Sequence, residues 1–342
     1  MTNQPFICCV AGRSGGHIIP AHTYASQEYP HHPLLFFTTA EPLDAAIVKN
    51  FEPQAMHIPL DLPNLPSLKN PFSWLKFSWL LLKSFYQAFK VLKKNKPAAI
   101  ISMGGYISIP VCLAGYLLRI PIVLFELNAA PGKATYYLAP LATSIQVCFK
   151  EALHYFSNKK TKLVPYPLKP SIRYPTLSSF EAKKQLLIPE EKITLLIAGG
   201  SQGSRMLNYI ITNFVASHQD LFKDITILHQ VGNDSAEPLR MWYKSIGITA
   251  HVFNFSTDME RIYLASDIII SRGGAGTLFE ILALKKPSLI VPLTHVANNH
   301  QVANAQSMSH TYKEFFTYIS QTELEKNQEP IITLIRQVQK QV

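Results

Sequence analysis

Cysteine, acid and long apolar runs are what this chain has least of. Its four cysteines (Cys8, Cys9, Cys112, Cys148) form no Cys-x-x-Cys pair. That excludes a disulfide framework and a cysteine zinc site, and implies buried free thiols of a reducing compartment. No basic segment opens the N-terminus, and the apolar stretch at residues 6–11 is too short for a secretory signal. Residues 97–118 are uncharged, but Ser102, Gly104, Gly105, Ser108 and Pro110 interrupt them. A buried strand, a turn and a helix suit this stretch better than a membrane span. The expectation is a protein that is soluble or rests on a membrane without crossing it. Asp and Glu number 22 against 32 Lys and Arg, and residues 61–126 hold no acid between Asp61 and Glu126. The imbalance is local: residues 1–165 have 15 basic against 7 acidic side chains, residues 166–342 have 17 against 15. One half is thus suited to an anionic partner.

What is present is apolar material, 47% of 342 residues, enough for two cores at roughly 100–200 residues per domain. Short β-branched runs alternate with helical patterns throughout. Strands are expected at residues 6–10, 34–38, 98–102, 122–125, 145–149 and 162–164. In the second half they are expected at 193–198, 225–230, 250–253, 267–270, 288–291 and 316–319. Runs apolar on both faces that alternate with helices imply two open parallel α/β sheets. Four prolines within residues 165–175 mark the connector.

Between Asp61 and Glu126 the charges are all basic: Lys69, Lys76, Lys83, Lys90, Lys93, Lys94, Lys96 and Arg119. Asn70-Pro71 is a suitable helix start. On a helical wheel Lys76, Lys83, Lys90 and Lys94 share a narrow face. Trp74, Phe77, Trp79, Leu81, Leu82, Phe85, Tyr86, Phe89 and Leu92 fill an arc of about 200° opposite. Part of that arc must pack on the sheet, and the remainder has the character of a helix lying on anionic lipid. No RNA-binding signature accompanies the charge, so no nucleic-acid partner is expected.

Each half opens with the same device, an apolar strand entering a glycine-rich turn and then a helix: Gly12-Arg13-Ser14-Gly15-Gly16-His17, and Gly199-Gly200-Ser201-Gln202-Gly203-Ser204. A third turn, Ser271-Arg272-Gly273-Gly274-Ala275-Gly276-Thr277, opens the helix that carries Glu280. Such turns leave N–H groups free for phosphate at a helix start, although glycine also serves simply to allow a tight turn. Neither opening turn is the dinucleotide fingerprint or a P-loop. Arg272 and Lys169 would add charge-assisted bonds. His17 follows the first turn and has the chemistry of a general base. Glu280, one turn into its helix, suits sugar hydroxyls. His295 and His300 lack partner ligands, so no metal site is expected.

These motifs, in this order, resemble one family. Ala11 to Ala21, Met103-Gly104-Gly105-Tyr106, Glu126-Leu127-Asn128-Ala129-Ala130-Pro131-Gly132, Gly199 to Ser204 with Asn208, Ser271 to Glu280, and His295 through Asn304-Ala305 are similar to the signatures of the MurG family. These are the peptidoglycan N-acetylglucosaminyltransferases of glycosyltransferase family 28. The resemblance runs from about residue 6 to 320. It implies an α/β GT-B fold, two Rossmann-like parallel-sheet domains facing across a cleft. Residues 1–165 would bind acceptor and membrane, and residues 166–342 the UDP-sugar donor. It implies inverting transfer of N-acetylglucosamine from UDP-GlcNAc to the muramyl 4-hydroxyl of lipid I (undecaprenyl-pyrophosphoryl-MurNAc-pentapeptide), giving lipid II at the cytoplasmic face of the bacterial inner membrane. No cofactor or protein-bound metal is implied. His17 matches the family's base candidate. Ser14, Gly15 and Gly16 match its donor-touching loop, with Asn128 helping to place the donor. Ser201 and Lys169 match diphosphate ligands, and the Ser256 backbone matches the reader of the uracil. Ala275, Gly276 and Thr277 match phosphate-binding amides, with Leu278 and Phe279 continuing that segment. Glu280 would hold the ribose and Gln301 the donor sugar. Trp74, Phe77, Trp79, Lys76, Lys83 and Lys90 would meet the anionic membrane surface.

The chain departs from the family pattern at Arg13 (for glycine), Leu127 (for Gln), Tyr166 (for Asn), Lys169 (for Arg) and Asn298-Asn299 (for acids), and it is shorter after residue 320. Lysine keeps the charge but loses the bidentate fork. The expectation is an active, slower enzyme with a weakened interdomain brace. The alternatives are a non-catalytic UDP-sugar-binding paralogue, a diacylglycerol glycosyltransferase, and a sugar epimerase, the last disfavoured by the scarcity of suitable carboxylates.

Overall fold

The computed structural model describes residues 4–12, 15–51, 55–63, 66, 71–200, 203–294 and 299–340. The chain divides into two compact units, residues 1–167 and 168–342.

Unit 1 holds the strands β1 (Ile7–Val10), β2 (Leu34–Thr39), β3 (Met56–Leu60), β4 (Ala99–Ser102), β5 (Ile122–Glu126), β6 (Ser144–Val147) and β7 (Thr161–Leu163). They form one parallel sheet in the order β3-β2-β1-β4-β5-β6-β7. Its helices are α1 (Gly15–Glu28), α2 (Pro42–Lys49), α3 (Pro71–Asn95), α4 (Ser108–Leu117) and α5 (Lys133–Leu138). Every residue of β1, β2 and β4 is buried, as a parallel sheet covered on both faces requires. Cys8 and Cys9 lie inside β1, where burial raises both thiols, and burial holds Cys112 on α4 at about 12. These are packing groups.

Unit 2 repeats the plan with β8 (Ile193–Ala198), β9 (Ile225–Gln230), β10 (Ala250–Phe253), β11 (Ile268–Ser271), β12 (Ser288–Ile290) and β13 (Phe316–Tyr318), ordered β10-β9-β8-β11-β12-β13 and all parallel. Its helices are α6 (Pro170–Arg173), α7 (Ser179–Gln185), α8 (Arg205–Ser217), α9 (Ala236–Ser245), α10 (Met259–Ala265), α11 (Ala275–Ala283), α12 (His300–Thr311), α13 (Gln321–Lys326) and α14 (Glu329–Gln339). The segment after residue 320 builds α13 and α14, and α14 buries Ile331, Leu334, Ile335 and Val338 in the core of this unit.

The sequence reading did not anticipate β3. Its central residues are His57, Ile58 and Pro59, and Met56 is exposed. Proline and a polar residue are tolerated because β3 is the sheet's edge, where the ladder has a single neighbour. The uncharged stretch at residues 97–118 resolves into β4, a turn and α4, and no helix among the described residues is long and apolar enough to cross a membrane.

The broad apolar arc of α3 divides. Its inner part, Phe77, Leu80, Ala88 and Leu92, is buried. Ala88 and Leu92 join the main core, while Phe77 and Leu80 form a smaller cluster with Leu62. Its outer part, Phe72, Leu75, Trp79, Leu82 and Tyr86, faces solvent, with Trp79 62% exposed. Phe77, expected at a membrane, is 7% exposed and belongs to the core. Trp74 is half-buried, edge-on to Phe77. Lys83 lies over the Trp79 ring and Lys90 over the Tyr86 ring, so these lysines border the outer stripe. The expected helix start at Asn70 lies outside the described residues. This division predicts unequal costs on urea unfolding. Leu92→Ala should lower stability by about 2–5 kcal/mol, and Leu82→Ala should change it by less than about 0.5 kcal/mol.

Candidate functional site

An open parallel sheet offers a ligand site where its winding reverses, beyond the carboxyl ends of the strands on either side. The strand orders place that point between β1 and β4 in unit 1, and between β8 and β11 in unit 2. The glycine-rich turns leave from these strands.

In unit 1, Met103 N–H donates to Val10 O, joining the exits of β1 and β4. A Cβ at Gly12 would stand 3.1 Å from both Thr39 and the buried Asp44 carboxylate, which accepts from the Thr39 amide and hydroxyl. The chain then enters α1, with His17 its third residue, half-buried. Gly15 is half-buried and Gly16 exposed, while Arg13 and Ser14 lie outside the described residues. After β4 both Gly104 and Gly105 adopt left-handed backbone, φ +82° and +77°. The turn is fixed by the Ser102 hydroxyl donating to Ser108 and the Ser108 hydroxyl donating to Gly104 O. After β5, the buried Glu126 carboxylate accepts from the Asn128 amide (3.0 Å), the Asn128 side chain (3.1 Å) and the Gly132 amide (2.8 Å). Glu126 therefore shapes the loop that presents Asn128, a role that sequence reasoning did not give it.

In unit 2 the turn after β8 is pressed against the chain leaving β9. Gly203 has φ +74°, and a Cβ there would lie 2.1 Å from Val231 O. Ser204 caps α8 by accepting from Leu207 N–H. Asn208, four residues on, donates to Val231 O and Asp234, so its amide oxygen accepts from His229 Nε2 at 3.2 Å. His229 Nδ1 then accepts from the Tyr243 hydroxyl at 2.9 Å. Burial drives His229 down to about 3, keeping it neutral in this one tautomer. Ser201 and Gln202 lie outside the described residues.

Arg272 follows β11 and is 4% exposed. Its guanidinium donates to Val291 O (2.8 Å), Gln321 Oε1 (3.1 Å) and the Ser204 hydroxyl. It thereby ties together the exits of β8, β11 and β12 and the start of α13. Burial lowers it to about 10, so it keeps its charge at neutral pH, and no ion pair to it occurs among the described residues. Gly273 is packed on Gln301, since a Cβ there would lie 2.3 Å from Gln301 O. Asn304 Nδ2 donates to Gly273 O, and Gln301 Oε1 accepts from Leu293 N–H. The third turn delivers the amides of Ala275, Gly276 and Thr277 at the start of α11, whose first turn holds no acid.

Glu280, one turn further, is raised to about 7, chiefly by burial. The Tyr263 hydroxyl and the charge of Lys169, at the start of α6, act in the opposite direction. Gln301, Gly273, Arg272 and Ser204 are thus brought together, and the charge of Lys169 acts on Glu280. Leu278, expected at the ligand, is fully buried in α11. Its side chain is a core group, and its backbone alone can serve a ligand. Phe279 is half-buried. Ser256 lies beyond β10, two strands from β8, and its hydroxyl accepts from Asp258 N–H. His295 and Asn298 are outside the described residues, among which no metal-binding group of side chains occurs.

The comparisons with known proteins agree with this plan. Residues 7–147 match the glycosyltransferase family 28 N-terminal domain, and residues 194–341 match the family 28 C-terminal domain. A UDP-N-acetylglucosamine--N-acetylmuramyl-(pentapeptide) pyrophosphoryl-undecaprenol N-acetylglucosamine transferase of Thermodesulfovibrio yellowstonii is 31% identical over 305 residues, 88% of this chain and 82% of that protein. The protein of the same name from Caldicellulosiruptor saccharolyticus is 33% identical over 323 residues, 92% and 85% of the two chains. Among solved structures, MurG from Acinetobacter baumannii shares the fold with a TM-score of 0.73 at 24% identity, covering 98% of this chain and 92% of that one. A UDP-GlcNAc 2-epimerase from Neisseria meningitidis bound to UDP-GlcNAc gives a TM-score of 0.59 at 14% identity, covering 91% and 92%.

The buried carboxyl of Glu280 sets a pH dependence of stability. Unfolded, it titrates near 4.5; folded, near 7. Between these values the folded protein holds the extra proton, so this group's effect lowers stability as pH rises through that window. Glu280→Gln should therefore gain roughly 1–3 kcal/mol over wild type at pH 8 and nothing at pH 4.5 or below, read by urea unfolding.

Proposed function

This chain belongs to glycosyltransferase family 28, and on that premise we propose that it transfers N-acetylglucosamine from UDP-GlcNAc to the muramyl 4-hydroxyl of lipid I, forming lipid II. The observation that carries the reading is the crest of unit 2. There a buried, charged guanidinium without a carboxylate partner among the described residues stands beside two glycine turns that open helices. A nucleoside diphosphate supplies the missing negative charge and takes the amides of Ala275, Gly276 and Thr277, with Ser201 and Lys169 as further ligands. Glu280 accepts from the ribose hydroxyls, the Ser256 backbone meets the uracil, and Gln301 reads the donor sugar.

Unit 1 serves the acceptor. His17 removes the proton of the 4-hydroxyl as that oxygen attacks the sugar C1. The bond from C1 to the diphosphate oxygen breaks on the opposite face, so configuration inverts and UDP leaves with its charge held by unit 2. Asn128 and the turn of Ser14, Gly15 and Gly16 orient the sugar. The reaction needs no metal from the protein, since amides and cations already stand where charge develops.

The outer stripe of α3 fits the lipid nature of the acceptor. Phe72, Leu75, Trp79, Leu82 and Tyr86 offer an apolar face, bordered by Lys76, Lys83 and Lys90, for the cytoplasmic surface of an anionic membrane. The enzyme is accordingly peripheral.

Two experiments test this. With labelled UDP-GlcNAc and a lipid I analogue, wild type should transfer, and His17→Ala should lose about 10²–10⁴-fold in rate while still binding UDP-GlcNAc. A wild type that binds donor but yields no product would refute the enzyme reading. In flotation with vesicles rich in phosphatidylglycerol, wild type should bind, and Trp79→Ala/Leu82→Ala should release it. Lys83→Glu/Lys90→Glu should do the same, and added salt should weaken wild-type binding. Equal binding by all the variants would refute the α3 contact.

A further inference from the structure

Ser256 sits on a segment that leaves an edge strand. β10 pairs with β9 alone, and the ladder ends where Val231 N–H donates to Phe253 O at 2.9 Å. From Asn254 to Ser256 no peptide group bonds to another peptide group among the described residues. Ser256 therefore offers one N–H donor and one C=O acceptor side by side. Side chains hold the segment instead. Asn254 Nδ2 donates to Gly232 O at 2.7 Å and to Asp234 O, which commits both hydrogens of its amide. Downstream, the Ser256 hydroxyl accepts from Asp258 N–H at 3.1 Å, and Asp258 caps α10 by accepting from Arg261 N–H. Of these two anchors, only Asn254 ties the segment to the exit of another strand.

The seat beneath Asn254 is itself fixed. Gly232 has a left-handed φ of +70°. Asn208 grips the same loop from α8 through Val231 O and Asp234, and Arg205 pairs with Asp234 at 2.8 Å. A continuous path of bonds thus runs from the buried His229 through Asn208 and this loop to Asn254.

Uracil presents a donor at N3 beside an acceptor at O4, whereas cytosine presents an acceptor at N3 beside its N4 amino donor. A peptide N–H and C=O fixed in place match one of these edges and oppose the other. A peptide free to turn serves both. We infer that Asn254 is the positioning residue through which unit 2 selects uracil over cytosine, by holding the Ser256 backbone against the loop after β9. The inference rests on the reading of the Ser256 backbone as the contact for uracil.

Titration calorimetry on the full chain tests it, with UDP and CDP as ligands and wild type, Asn254→Ala and Asn254→Asp as proteins. Asn254 is exposed, so both variants should fold. Wild type should prefer UDP by about tenfold or more. Asn254→Ala should weaken UDP about three- to tenfold and CDP by under about twofold, so that the preference narrows. Asn254→Asp keeps the shape but turns a carboxylate toward two carbonyls, and should narrow the preference at least as far.

Equal weakening of both nucleotides, or loss of the fold itself, would mark a merely structural residue. An Asp variant that matches wild type would show that the donated bonds are not needed. Each of these results overturns the inference. Full preference retained by Asn254→Ala overturns it too, while leaving the uracil reading intact. A wild type that binds UDP and CDP alike removes the uracil reading and the inference with it.

Discussion

The arrangement of both units depends on where their parallel sheets reverse winding. Beside β1 in one and β8 in the other, the sheet is wound outward in both directions, so the connections leaving the adjacent strands part from one another. A helix must begin there, and its first amides remain open. Glycine is demanded for different reasons at different positions. Gly203 and Gly273 face backbone too close for any Cβ, whereas Gly104 and Gly105 need left-handed φ. The same constraint thus accounts for the glycines, the helix starts and the concentration of polar side chains at one crest of each sheet.

The two crests solve the problem of buried charge with opposite signs. Unit 1 buries Glu126 and stabilises its carboxylate with the donors of its own loop, two backbone amides and the Asn128 side chain. Unit 2 buries Arg272 and gives it only neutral acceptors, a carbonyl, a hydroxyl and an amide oxygen. Dipoles hold a guanidinium in place but do not cancel its charge, so the crest keeps a positive field. That asymmetry suits a division of labour in which the anionic group binds to unit 2, while unit 1 handles a proton and neutral sugar hydroxyls.

Most of the fold was legible because parallel strands buried on both faces leave unbroken apolar runs, and β8, β9 and β10 lie at the very residues expected. Elsewhere the ends shifted by a residue or two, where strand and turn share the same amino acids. The edge strand β3 escaped, since its His and Pro break the pattern and only its position at the sheet margin permits them. For α3, the wheel displayed an arc too wide for one contact but could not assign its two halves. That assignment is made by Leu62 and β-sheet side chains distant in sequence. The glycine turns and Glu280 were readable as local motifs. Glu126 and His229 were not, because what they do depends on partners brought close by the fold.

Glu280 shows how such partners carry tension as well as order. Burial works against its charge, and Lys169 and Tyr263 offset that only in part, leaving the carboxyl poised near neutrality. An uncharged glutamine would escape the burial that opposes the ionised Glu280. Retaining a carboxylate there makes sense when hydroxyl donors arrive with a ligand, since each donor bond favours the ionised form that burial disfavours. Arg272 meets the same burial with the opposite charge: its nitrogens are bonded to the Ser204 hydroxyl, Val291 O and Gln321 Oε1, and burial lowers it only to about 10, so it stays charged beside these neutral acceptors.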